Sequence, residues 1–221
     1  MGTQAADLTV AVQDYLKAIY ALETEGERVT TSALAVRMGV RAPSVTAMTK
    51  RLAELGLVER APYRGVVLTE DGRRGALEVL RHHRLLERYL VDRLGLSLAE
   101  VHAEAELLEH ALSEELEAKI DAELGFPTHA PHGDPIPDRE LRVAAAGDAS
   151  LLDLPLGRRA AVSRVPDGNP ELLRYLAELG LLPGSVVEVV SQAPFGGPVT
   201  VRTGSGDHAI SRELAARVAA A

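Results

Sequence analysis

A stretch rich in proline and glycine, GFPTHAPHGDPIPD at residues 125–138, divides this sequence into two parts of different periodicity. Before it, apolar residues recur at helical spacing. After it, short β-prone runs alternate with turns. The stretch itself reads as a linker. The expected fold is mainly α, with a small β-barrel at the C-terminus.

The first part resolves into several helices. Residues 8–24, LTVAVQDYLKAIYALET, place Leu8, Val12, Leu16, Ile19, Tyr20 and Leu22 on one broad apolar face. Thr30, Thr31 and Ser32 offer N-caps for a short helix through Met38, which Gly39 ends. Then VRAPSVTAMTKRLAELG carries Pro43 in a first helical turn and Gly56 as terminator. Two helices joined by so short a turn predict a helix-turn-helix. LVERAP and GVVLT, flanking Tyr63, Arg64 and Gly65, predict two short strands and hence a wing. A long helix is expected from Glu70 to about Leu94, broken by Gly95. Ser97, with Glu100 three residues on, predicts a capping box for one more helix reaching about Leu124. In the second part, Ala160–Val165, Val186–Val190 and Pro198–Thr203 read as strands, with NPELLRYLAELG as a helical insert. The expected domains are 1–72, 73–140 and 141–221.

The second helix of the helix-turn-helix suits a major groove. Arg41, Ala42, Pro43, Ser44, Thr46, Ala47 and Lys50 lie on or near its outer surface, while Val45, Met48 and Leu52 face inward. Short hydroxyl side chains permit close approach to phosphates and base edges, and small methyls suit thymine. Arg64 at the wing tip suits a phosphate or the minor groove. The bland alternative is a helical bundle with solvated basic residues. The net charge of −8 argues against constitutive nucleic-acid binding. Yet Arg41–Arg64 holds five basic residues against two acidic ones.

Downstream lies a stripe of potential metal ligands: His83 and Glu87, then His102, Glu106, Glu109 and His110. Each set repeats at helical spacing, so each can share a face, and antiparallel packing of the two helices would bring the sets together. Asp14 could add a carboxylate from the first helix. His82, His129, His132 and His208 are read as non-ligating. Each ligand also has an ordinary alternative: Glu87 beside Arg84 and Arg88 could be a plain helix ion pair, and the second of these helices is acidic throughout. The chain has no cysteine, which excludes disulfides, zinc–thiolate sites and iron–sulfur clusters. Any ion must be held by oxygen and imidazole nitrogen, as Mn2+ or Fe2+ would be; Co2+, Ni2+ or Zn2+ could substitute in vitro.

Together the segments VQDYLKAIYALE, VLTEDG, HHRLLERYL and VHAEAELLEHALS resemble the diphtheria toxin repressor and iron-dependent regulator family. The resemblance is closest to the manganese-responsive members with a C-terminal SH3-like (FeoA-like) domain, and it loosens across that domain, where ELLRYLAELGLLPGS carries it. It implies a winged helix-turn-helix, a helical metal-binding and dimerisation domain, and an SH3-like barrel. It also implies a primary, activating site from Asp14, Glu106, Glu109 and His110. His83, Glu87 and His102 match a second site, completed from the SH3-like domain by Glu171 or Asp167. In iron-type members the positions of Glu106 and Asp14 hold a cysteine and a methionine; hard oxygen ligands there resemble the manganese type. Two-domain manganese regulators carry a second acidic ligand where this chain has Lys17, so their binuclear centre is not carried over.

The function expected is Mn2+-activated, sequence-specific transcriptional repression of metal-homeostasis genes, with Fe2+ as the alternative ion. The expected partners are a palindromic double-stranded DNA operator and a second copy of the chain. No membrane and no small organic ligand are expected, and the reading is cytoplasmic, since MGTQAADLTV lacks a signal peptide's basic and apolar segments. A metallohydrolase is the competing class, but HExxH, a Gly-rich anion loop and a nucleophile elbow are all missing.

Overall fold

The computed structural model describes residues 8–61, 65–144 and 147–221. Arg64 and the rest of the wing tip lie outside them. Two compact units result, with the division falling inside one long helix. The first holds the chain up to His83, Glu109–Leu112 and Pro137–Arg142; the second holds the remainder.

In the first unit, α1 (Val10–Thr24) buries Val12, Leu16, Ile19 and Leu22, the periodic stripe read from sequence. Thr30 caps α2 (Thr31–Met38) by accepting from Ala33 N–H at 3.1 Å. Pro43 occupies the first turn of α3 (Ala42–Glu54), where a missing N–H costs nothing. Strands β1 (Val58–Ala61) and β2 (Gly65–Leu68) pair antiparallel, with Val58 opposite Leu68. Leu34, Val45, Leu52 and Leu57 join the α1 stripe in one core.

Glu23 ties three elements of this unit together. Its carboxylate accepts from Leu68 N–H at 3.0 Å and from Arg73 at 2.9 Å. Arg73 in turn lies 5.7 Å from the Tyr20 ring centroid. Glu23→Ala is expected to destabilise the protein by about 2 kcal/mol, the cost of stripping a charged acceptor from a backbone donor and a guanidinium. Urea denaturation measures it, and an unchanged midpoint would show that water replaces the carboxylate at no cost.

The long helix α4 runs Glu70–Leu94, as the sequence suggests. The next helix does not run unbroken to Leu124. It is α5 (Leu98–Leu108), a turn, then α6 (Glu114–Glu123). The start of α5 carries one half of the expected capping box: Ser97 N–H and Oγ both donate to the Glu100 carboxylate, while Glu100 N–H bonds the Ser97 carbonyl rather than its hydroxyl. The two Ser97 donors hold the Glu100 carboxyl below its ordinary pKa. The break after Leu108 has two causes. Ser113 caps a new helix by accepting from Leu116 N–H, and the Glu109 carbonyl oxygen lies 3.1 Å from His82 Nδ1 instead of entering a helical ladder.

The C-terminal β structure belongs to the second unit and is not a barrel. Its strands are β3 (Ala149–Ser150), β4 (Arg159–Arg164), β5 (Val186–Gln192), β6 (Val199–Thr203), β7 (Gly206–Ile210) and β8 (Ala219–Ala220). They form an open antiparallel sheet in the order β3-β8-β4-β5-β6-β7. Closure would need β7 to pair with β3, and β3 is two residues long and, among the described residues, pairs with β8 alone. Helices α7 (Pro170–Glu178) and α8 (Arg212–Arg217) supply the apolar cover, with Leu173, Leu176 and Ala215 packed on Val162, Val187, Val189 and Val201. The barrel expectation rested on short strands at regular spacing, a pattern that an open, helix-covered sheet shares.

The segment expected to be a linker is packed. Ala130, His132 and Ile136 are buried. The His132 carbonyl accepts from Val165 N–H at 2.9 Å. Gly133 makes this approach possible: a Cβ there would sit 2.0 Å from the Ser163 carbonyl oxygen. Among the described residues no helix is long and apolar enough to cross a membrane.

Candidate metal centre

In the first unit, Asp14, Glu109 and His110 bring one ligand atom each to within 4.8 Å of the others. Asp14 comes from α1, and the other two from the turn after α5. That turn frees them from a helical face: His110 Nε2 lies 2.8 Å from Asp14 Oδ1 and 3.4 Å from Glu109 Oε1. Glu109 is buried, and both its oxygens are engaged. Oε1 accepts from the Lys17 ammonium at 2.6 Å, and Oε2 lies 2.6 Å from His83 Nδ1.

Gln13 sets the His110 ring. Its Nε2 donates to the Leu8 carbonyl at 3.3 Å, which turns its Oε1 to His110 Nδ1 at 2.5 Å. The proton then belongs on Nδ1, and Nε2 is the nitrogen presented to Asp14 and Glu109. Gln13 was missed in the sequence. A polar residue one turn before Leu16, next to Asp14, was its only signal.

The donors fit a divalent ion. Two carboxylates, one buried, face an oriented imidazole, and Lys17 neutralises only part of their charge. The lysine occupies Glu109 Oε1, one of the oxygens of this cluster.

Glu106 belongs to the second unit and is exposed, with its Oε1 3.9 Å from His102 Nε2. His102 Nδ1 lies 3.3 Å from Glu87 Oε1. Glu87 is fully buried, and its other oxygen faces His132, a residue that the sequence reading sets among the non-ligating histidines. Asp167, 40% exposed, lies in the loop between β4 and α7 and approaches the same ring. Glu171, in the first turn of α7, is exposed and stands outside this group. Burial disfavours the His132 imidazolium, but contact with Asp134 and the charges of Glu87 and Asp167 outweigh it, so its pKa is raised. Burial likewise raises the Asp134 carboxyl, but His132, Arg84 and Arg164 prevail and its pKa is lowered.

On α3, Arg41, Ala42, Pro43, Ser44, Thr46, Ala47 and Lys50 are exposed along one surface, while Val45 and Leu52 are buried. Thr46 Oγ1 donates to the Ala42 carbonyl at 3.1 Å, and Lys50 lies 3.8 Å from Glu54.

A winged helix-turn-helix followed by helices bearing carboxylate–imidazole clusters is the architecture of a metal-dependent DNA-binding transcriptional repressor. Comparison with known proteins agrees along the chain. Residues 7–66 match the iron dependent repressor N-terminal DNA binding domain. Residues 69–138 match the iron dependent repressor metal binding and dimerisation domain, and 149–220 the FeoA domain. The iron-dependent repressor IdeR of Mycobacterium tuberculosis is 37% identical over 95% of this chain and 96% of its own. The diphtheria toxin repressor of Corynebacterium efficiens is 33% identical over 84% and 85%. A solved manganese-dependent transcriptional repressor in complex with manganese superposes with a TM-score of 0.86 at 39% identity, covering 95% of this chain and 98% of its own. The chain belongs to the iron-dependent repressor family that includes the diphtheria toxin repressor. The family consists of non-catalytic DNA-binding repressors, which removes the metallohydrolase reading.

Proposed function

We propose that an Fe2+- or Mn2+-class ion, held by Asp14, Glu109 and His110, switches this repressor to its DNA-binding state. The observation that carries the reading is the buried Glu109 carboxylate beside Asp14 and an imidazole whose tautomer Gln13 sets. Metal bound there draws on α1, Glu109 and His110 together, and so biases the element that packs under the helix-turn-helix.

Iron(II) is the ion favoured by the relatives that cover 95% of the chain, which are iron-dependent repressors. A specific observation favours manganese as the second reading: the donors are all hard oxygen or imidazole nitrogen, and a manganese-dependent repressor is 39% identical. The outer surface of α3, from Arg41 to Lys50, and Arg64 of the wing would meet the duplex. The exposed Leu107 and Leu108 would join two copies on a palindrome. Residues 1–72, 73–140 and 141–221 would then be the DNA-reading, metal-binding with dimerisation, and FeoA parts.

The test selects duplexes from a random pool with either ion and titrates them anaerobically. At least tenfold tighter binding with metal is expected, about 1.4 kcal/mol of coupling. Equal affinity with metal and with chelator would overturn the reading. The ion giving the larger response at equal free concentration decides between iron and manganese.

A further inference from the structure

Lys17 stands one turn after Asp14 on α1 and reaches across to the turn that follows α5. Its ammonium lies 2.6 Å from Glu109 Oε1. The Glu109 side chain is fully buried, whereas that of Lys17 is 18% exposed. His83 Nδ1 meets the other oxygen, Oε2, at 2.6 Å. A carboxylate so far from water needs a positive charge beside it. Lys17 supplies one from within the chain, at the centre of the Asp14, Glu109 and His110 cluster.

Two features make this ammonium exchangeable. The first is charge. A divalent ion balances the Asp14 and Glu109 carboxylates by itself, which leaves the ammonium as an unbalanced like charge beside it. A monovalent ion brings no more charge than the ammonium it would replace, so it gains nothing by the exchange. The second is a way out. Lys17 already touches solvent, and its unbranched stem lets the charged head turn to water while the methylenes stay packed. Glu109 has no such freedom, because its side chain is fully buried and His83 holds its second oxygen.

We propose that Lys17 is a displaceable internal cation that sets the metal concentration at which the switch operates. Before an ion binds, the ammonium compensates Glu109 and holds it beside Asp14 and His110, so the donors are in place in advance. A divalent ion then takes Oε1 and sends the ammonium to solvent. The ion must break a buried charge pair to enter, which raises the concentration needed to fill the site and discriminates against monovalent ions. Lys17 is a positioning residue here, acting through Glu109. The proposal rests on the reading of Asp14, Glu109 and His110 as the activating site. The rival arrangement keeps the ammonium on Oε1 and leaves the ion to Asp14 and His110.

The chain has three lysines, Lys17, Lys50 and Lys119, and the side chains of the last two are 79% and 69% exposed. A pulse of N-hydroxysuccinimidyl acetate on the full chain, read by mass spectrometry, therefore follows Lys17 against two internal references. Equilibrium dialysis measures Mn2+ binding to wild type, Lys17→Met and His110→Ala. Mn2+ is expected to speed acetylation of Lys17 about tenfold relative to Lys50 and Lys119, as the ammonium leaves its buried partner. His110→Ala should lose that effect. Lys17→Met keeps the unbranched stem and is expected to bind Mn2+ about tenfold more tightly. Mn2+ uptake that depends on His110, with Lys17 acetylation unchanged or slower, would overturn the exchange alone and place the ammonium on Oε1 throughout. Release of Lys17 without tighter binding by Lys17→Met would overturn its role in setting the concentration. Mn2+ uptake identical in wild type and His110→Ala would overturn the proposal together with the metal-responsive reading. The wild-type acetylation decides even where Lys17→Met does not fold.

Discussion

Glu109→Gln is expected to raise the metal concentration needed for DNA binding by on the order of 100-fold, about 2.7 kcal/mol. The amide keeps the volume of the buried side chain but removes the charge that a divalent ion would use. Both oxygens of the native carboxylate are engaged, by Lys17 and by His83, each at 2.6 Å. The substitution also strands the ammonium and the imidazole, and breaking one side of a buried charge pair costs about 3 kcal/mol. Lys17 is 18% exposed and can turn partly to water, so the loss in folding stability should fall below that figure. Lys17→Met should act in the opposite direction, lowering the activating metal concentration by removing the competitor for Oε1. Anisotropy titrations against metal measure both. If Glu109→Gln leaves the activating concentration where it was, the cluster is not the switch. If Lys17→Met weakens activation, the ammonium supports the site rather than competing for it.

The second large effect is on folding. Gly72 lies in the first turn of α4, where helix propensity alone says that alanine should stabilise by about 1 kcal/mol. The tertiary structure reverses the sign. A Cβ at Gly72 would lie 1.9 Å from the Leu57 carbonyl oxygen and 3.2 Å from Leu68 Cδ2. That carbonyl already accepts from Thr69 N–H at 3.0 Å, so the helix cannot retreat without losing the bond that positions its start. Gly72→Ala should therefore destabilise by about 3 kcal/mol, as overpacking against backbone does. Urea denaturation gives the number, and a midpoint at or above wild type would mean that α4 has room to move.

Much of the helical part was legible because its signals are local. The Leu16–Ile19 stripe, the Thr30 cap, Pro43 and the Ser97–Glu100 box each act within a turn or two of chain, and each appears where periodicity and capping chemistry put it. Ligand residue types were legible too, because absent cysteine leaves only carboxylates and imidazoles to hold an ion. Their grouping was less so. Glu109 and His110 were read on a continuous helix, but the helix ends at Leu108 and they project from a turn.

The amino-acid sequence was enough for the kind of most helices, of the wing strands and of β4, β5 and β6, and for the donor chemistry, since these depend on near neighbours and side-chain type; β3, β7, α8 and β8 carry no comparable local signal. Only the tertiary structure decided that the C-terminal sheet stays open, because strand closure depends on pairing between residues far apart, and β3 is too short to meet β7. Only it brought His132 to Glu87 and Asp167, because Gly133 lets a proline-rich segment lie against β4, which no local pattern encodes. Likewise only it set Lys17 on Glu109, a contact between residues 92 apart in the chain.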